Sequence, residues 1–96
     1  MDEKTKDAIR MVGYLLETNA TDHAWARNRN GIAVSARSRS ARKWCLHGAA
    51  QVVGSALKLA LLNHDVSVYL EMSNLTTWDN KSPNQRWSII QKLKSI

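Results

Sequence analysis

Ala8, Ile9, Val12, Leu15 and Leu16 recur at the three-and-four spacing that lines one face of a helix, which predicts a helix over residues 2–17. Asp2, Glu3 and Asp7 lie near its positive end. The polar run Asn19-Ala20-Thr21-Asp22 breaks the pattern. Beyond it, Trp25-Ala26-Arg27 and Ile32-Ala33-Val34 read as two short extended pieces around Asn28-Arg29-Asn30-Gly31, forming a small hairpin or ordered loop. Two strands alone are marginal in water, so this segment must rest on the helices, with Trp25 as its expected anchor.

Ser38 or Ser40 can cap a second helix in which Ala41, Trp44, Cys45, Gly48, Ala49, Val52 and Val53 form an inward stripe. Gly48 and Ala49 on that stripe would let another backbone approach closely, which offsets the cost of glycine inside a helix. Gly54 is expected to end or bend this helix. A third helix is read over 55–63 with Leu57, Ala60 and Leu61 on one face, and His64-Asp65 marks a break. Residues 66–73 alternate like a strand but also suit helical turns, and their helical neighbours favour helix. Ser82-Pro83-Asn84-Gln85 is a capping box with proline at the first helical position, followed by Ile89, Ile90, Leu93 and Ile96 on one face. Lys92 and Lys94 complement the far end. The prediction is a mainly α, single helical domain over residues 1–96, a compact bundle of four to five short helices with a small hairpin or ordered loop near residues 24–35.

Composition sharpens this picture in two ways. With Phe absent, Trp25, Trp44, Trp78 and Trp87 supply the large apolar side chains for what is otherwise an aliphatic core. Cys45 is the only cysteine, so no internal disulfide forms, and a reducing, cytoplasmic setting is expected. Met1-Asp2-Glu3-Lys4 leads into no apolar run, so a secretory leader is not expected, and no segment has the roughly 20 apolar residues of a membrane span. The apolar stretch Ala56–Leu62 is interrupted by Lys58.

Charge is distributed unevenly. No Asp or Glu occurs between Asp22 and Asp65, yet this stretch holds seven cations: Arg27, Arg29, Arg37, Arg39, Arg42, Lys43 and Lys58. They exceed the chain's net charge of +6, so the excess positive charge belongs to one region. Arg37, Arg39, Arg42 and Lys43 surround the expected start of the second helix, where cations oppose the helix dipole.

At Trp44-Cys45-Leu46-His47-Gly48-Ala49 the chain resembles an uncharacterised domain family common in phages and actinobacteria, whose pattern is Trp-Cys, two positions, then Gly-Ala. That family also has an N-terminal helix, a Trp-containing loop leading to a glycine such as Gly31, and a downstream Trp-Asn-Asp before its final helix. Trp78-Asp79-Asn80 corresponds here, with the two polar residues reversed. The resemblance covers residues 8–95 and implies a helical fold and a mobile-element origin; it implies no reaction.

Catalytic patterns are weak. Cys45 and His47 are two apart, about 200° around a helix, so they cannot meet within one, and Cys45 on an apolar stripe reads as a small hydrophobe with a raised pKa. Cys45, His23, His47 and His64 lack paired metal-ligand spacing, and the glycines form no phosphate loop, so neither metal nor cofactor is expected. Asp79 or Asn80 is expected to bond backbone amides in the loop before the last helix. The binding residues expected are Arg27, Arg29, Arg37, Arg39, Arg42 and Lys43, with Trp25 as a stacking face if exposed. They describe a small basic accessory binding protein that acts by occupancy, engaging nucleic acid or an acidic host protein complex. By analogy, the size and charge are consistent with compact phage inhibitors of host defence, anti-CRISPR proteins among them. A self-associating structural or regulatory homo-oligomer is the alternative, and an enzyme using Cys45, a histidine or Asp79 is the least supported.

Overall fold

Asp2 caps the first helix by accepting the Thr5 amide at 2.8 Å, and the helix it starts runs to Asn19. The computed structural model describes residues Met1–Ile96 in the order α1 (Glu3–Asn19), β1 (Ala26–Arg27), β2 (Ala33–Val34), β3 (Lys43–Trp44), α2 (Leu46–Leu57), α3 (Leu62–Leu70), a 3-10 helix (Leu75–Asn80) and α4 (Pro83–Lys94). The mainly helical expectation therefore holds, and the hairpin gains a third strand: the sheet order is β2-β1-β3, both pairs antiparallel. Ser82 and Gln85 close the capping box of α4, with Pro83 in its first turn.

The α1 face predicted from spacing is the buried one: Ala8, Ile9, Val12 and Leu16 are sealed from solvent. They pack with Leu46, Ala49 and Val53 of α2, Leu62 and Val66 of α3, Trp78, and Ile90 and Leu93 of α4 in one core. Gly13 lets α4 approach, since a Cβ there would lie 2.9 Å from Cγ of Lys94.

Several boundaries differ from expectation. Neither Ser38 nor Ser40 caps α2. The Ser38 hydroxyl accepts the Ser40 amide in a local turn, and the helix starts at Leu46 with Cys45 as its cap. Residues 42–45 bond instead to the segment near β1: the Arg42 amide donates to the Arg27 carbonyl at 2.8 Å, and the Cys45 amide to the Trp25 carbonyl at 3.3 Å. Ala41 and Trp44 therefore precede the helix. Gly54 does not end α2. It is buried inside the helix, where a Cβ would lie 3.1 Å from that of Leu62, and the helix ends at the left-handed Lys58. His64-Asp65 is no break, because Asp65 sits in the first turn of α3, where a carboxylate favours the positive end. The same helix contains Val66 to Leu70, in agreement with the helical reading of that ambiguous segment.

Trp25 is not the anchor of the hairpin; it is 49% exposed. Ala26, fully buried, and Trp44, whose indole donates to the Ala36 carbonyl at 2.9 Å, perform that task. A second tie comes from the other end of the chain. Trp78 is buried and its indole donates to the Thr21 carbonyl at 2.9 Å, while Arg86 donates to the Trp78 and Asp79 carbonyls and pairs with Asp22 at 2.7 Å. Asp79 accepts the His23 amide at 2.9 Å, not an amide of its own loop, so the carboxylate reaches across the fold to hold the left-handed His23.

Candidate nucleic-acid interface

The antiparallel register determines which basic side chains meet. Arg27 of β1 lies opposite Lys43 of β3, and Ala26 opposite Val34 and Trp44. Directly opposed residues project from the same face of a sheet, so burying Ala26 and Trp44 inward puts Arg27 and Lys43 outward together. Like charges opposite one another are unfavourable, and no acidic residue relieves them.

The seven cations from Arg27 to Lys58 make no salt bridge, and neither do Lys4, Lys81 and Lys92, whereas Lys6, Arg10, Arg86 and Lys94 each pair with a carboxylate. Arg29, Arg37, Arg39, Arg42 and Lys43 are exposed and Arg27 is half-buried. Their roles divide. Arg27 donates to the carbonyls of Gly31 at 3.0 Å and Asp22 at 3.2 Å, and Arg42 to those of Arg39 at 3.0 Å and Ala41 at 2.9 Å, so these two brace the loops that carry the others. Arg29 at the hairpin tip, Arg39 in the turn and Lys43 on the edge strand make no such bonds. The expected clash of Arg37, Arg39, Arg42 and Lys43 with the α2 dipole does not arise, since the helix begins beyond them, at Leu46.

Beside this face the Trp25 ring lies over His47, ring centroids 4.6 Å apart and planes tilted by 32°. The imidazole supports one side of the indole. Burial lowers the His47 pKa from its ordinary value, so the ring stays neutral at pH 7. On acidification the unfolded chain takes this proton before the folded one, so stability falls as pH drops through about 6.5, well above the range of carboxylate titration. Urea midpoints compared above and below that pH should show the loss, and His47→Gln should flatten it.

Arg37 borders a different feature, a cleft of about 420 Å³ that it lines with Gln51, Ser55, Lys58 and Asn63. Asn63 is oriented from behind by donating to the His47 carbonyl at 3.2 Å. Lys58 is one of the seven cations of the acid-free stretch, and its interruption of the Ala56–Leu62 apolar run is the local sequence signal of this cleft. The places of Gln51 and Asn63 carried no such signal.

Cys45 is buried, and burial pushes its thiol pKa up, which weakens it as a nucleophile. Its sulfur accepts the Gly48 amide at 3.4 Å, capping α2. Serine provides a stronger cap at the same place, so Cys45→Ser should cost no more than about 1 kcal/mol and leave binding unchanged. A thermal melt with a binding isotherm on the same sample checks both.

No three His, Cys, Asp or Glu side chains converge on a point where a metal ion would sit. No helix is long and apolar enough to cross a membrane. No protein-family model, curated protein or solved structure matches the chain.

Proposed function

We propose that the protein is a small binding module for single-stranded nucleic acid, holding the phosphate backbone along the sheet edge and the β2–β3 turn. The observation that carries this is the set of six cations on the sheet and its loops, Arg27, Arg29, Arg37, Arg39, Arg42 and Lys43, left without a carboxylate partner while the two arginines elsewhere in the chain, Arg10 and Arg86, are ion-paired. Such a face is a phosphate surface, because arginine forks and lysine ammonium groups gain from the counterions that a strand releases. Trp25, half-exposed and backed by His47, offers a ring on which an unpaired base can stack. The six cations sit on strands and loops and none on a helix, so backbone contacts dominate and sequence preference is weak. The module acts by occupancy.

Fluorescence anisotropy of a labelled single-stranded oligonucleotide across a salt series tests the proposal. Five exposed cations, Arg29, Arg37, Arg39, Arg42 and Lys43, each meeting a phosphate, give a log-log salt slope of about 3 to 4 and roughly a hundredfold loss between about 50 and about 200 mM. Trp25→Ala should weaken binding about tenfold, the contribution of one stacked base. A shallow salt slope, together with nuclease-resistant recovery of one acidic protein from lysate, would replace nucleic acid with a protein target.

A further inference from the structure

The cleft of about 420 Å³ has the size of a small-molecule site. Its lining carries charge of one sign only: Arg37 and Lys58 are cationic, Gln51, Ser55 and Asn63 are neutral hydrogen-bonding groups, and no carboxylate takes part. Two features of the wall are costly to the folded chain. The side-chain oxygen of Gln51 is closed off from solvent and accepts no hydrogen bond, so it bears the desolvation of an acceptor without compensation. Lys58 adopts left-handed backbone, φ 58° and ψ 41°, at the end of α2, where glycine would sit without a side-chain penalty. The amides of Lys58 and Leu59 cover the carbonyls of Ser55 and Gly54, two of the four at the negative end of α2.

We propose that this cleft holds one nucleotide, its phosphate between the Arg37 guanidinium and the Lys58 ammonium and its base edge on the Gln51 carboxamide. The fork and the point charge are complementary ways of holding phosphate oxygens. Gln51 lines the cleft, and rotation about its soft terminal torsion lets the carboxamide turn towards a base edge carrying an amino group. The choice of a nucleotide over another phosphate ester rests on the reading of the adjacent basic face as a nucleic-acid surface, and Arg37 belongs to both.

The full-length protein, ¹⁵N-labelled, is titrated separately with adenosine 5′-monophosphate, inorganic phosphate and adenosine. The nucleotide should give saturable shifts at the amides of Ser55 to Ala60 and at the Gln51 side chain, with phosphate or adenosine alone at least about tenfold weaker. Lys58→Gly should separate fold from binding: removal of the left-handed strain raises Tm by about 2 to 8 °C, while loss of the ammonium weakens the nucleotide about tenfold. The proposal fails if the shifts are absent or map elsewhere, if phosphate alone binds as tightly, or if Lys58→Gly binds like the parent. Oligonucleotide anisotropy on the same samples judges the basic face separately. A strand that binds when the mononucleotide does not overturns the cleft alone; a mononucleotide at the cleft without strand binding supports the cleft and overturns the face.

Discussion

Gly48→Ala should destabilise the protein severely. A Cβ at this position would lie 1.9 Å from the Trp25 carbonyl oxygen and 2.8 Å from its carbonyl carbon, contacts with main chain that no rotamer change can relieve. Neither side can retreat cheaply. The Trp25 carbonyl accepts the Cys45 amide at 3.3 Å, and the next residue, Ala26, is buried in the central strand. On the other side α2 is capped at Cys45 and packed against α1. Overpacking of a compliant core costs about 1 to 3 kcal/mol, and a clash with fixed backbone should exceed about 3, a large part of the 5 to 15 kcal/mol typical of a domain. That corresponds to a fall in Tm of more than about 15 °C. Gly31→Ala is the natural contrast: nothing lies within 4 Å of a Cβ there, and only its positive φ of 79° is unfavourable, at about 1 to 2 kcal/mol. Thermal melts followed by circular dichroism should rank Gly48→Ala far below Gly31→Ala. Equal melting temperatures would show that the Trp25 backbone does not cross α2 at this point.

The close approach at Gly48 was legible in the sequence because it depends on a local signal, a glycine on an apolar helical stripe, and the same holds for the α1 face and the capping box of α4. What could not be read depends on partners remote in sequence. β3 is two residues long and has no alternation to announce it; it exists because Lys43 and Trp44 meet β1 sixteen or more positions earlier, so Ser38 and Ser40, good caps by type, are left in a turn. The α2 boundary was misplaced for a related reason. Gly54 looked like a terminator, but Leu62 packs against it, and the left-handed position fell to Lys58, a residue whose type does not advertise it. The site divides in the same manner. Its charge was visible as a count, while the pairing of Arg27 with Lys43, and of Arg37 with Lys58 at the cleft, required the fold.

The triple charge reversal Arg29→Glu, Arg39→Glu and Lys43→Glu should abolish strand binding while the fold is kept or slightly strengthened. These three are chosen because their side chains make no hydrogen bond within the protein, unlike Arg27 and Arg42, whose guanidinium groups hold loop carbonyls. Lys43→Glu also places a carboxylate opposite Arg27 in the β1–β3 register, turning a like-charge pair into an attractive one worth about 0.2 to 1 kcal/mol. Binding moves the other way. Removal of three phosphate contacts lowers the log-log salt slope by about 2 to 3, and the added negative charges repel the strand, so affinity should fall by at least about a hundredfold near 0.1 M salt. A merely solubilising face predicts a different result, since a charge of either sign keeps a surface hydrated and nothing but the isoelectric point would change. Anisotropy titrations paired with thermal melts decide between them: full-strength binding by the folded triple variant would remove this face from the function and leave Trp25 without a strand to stack.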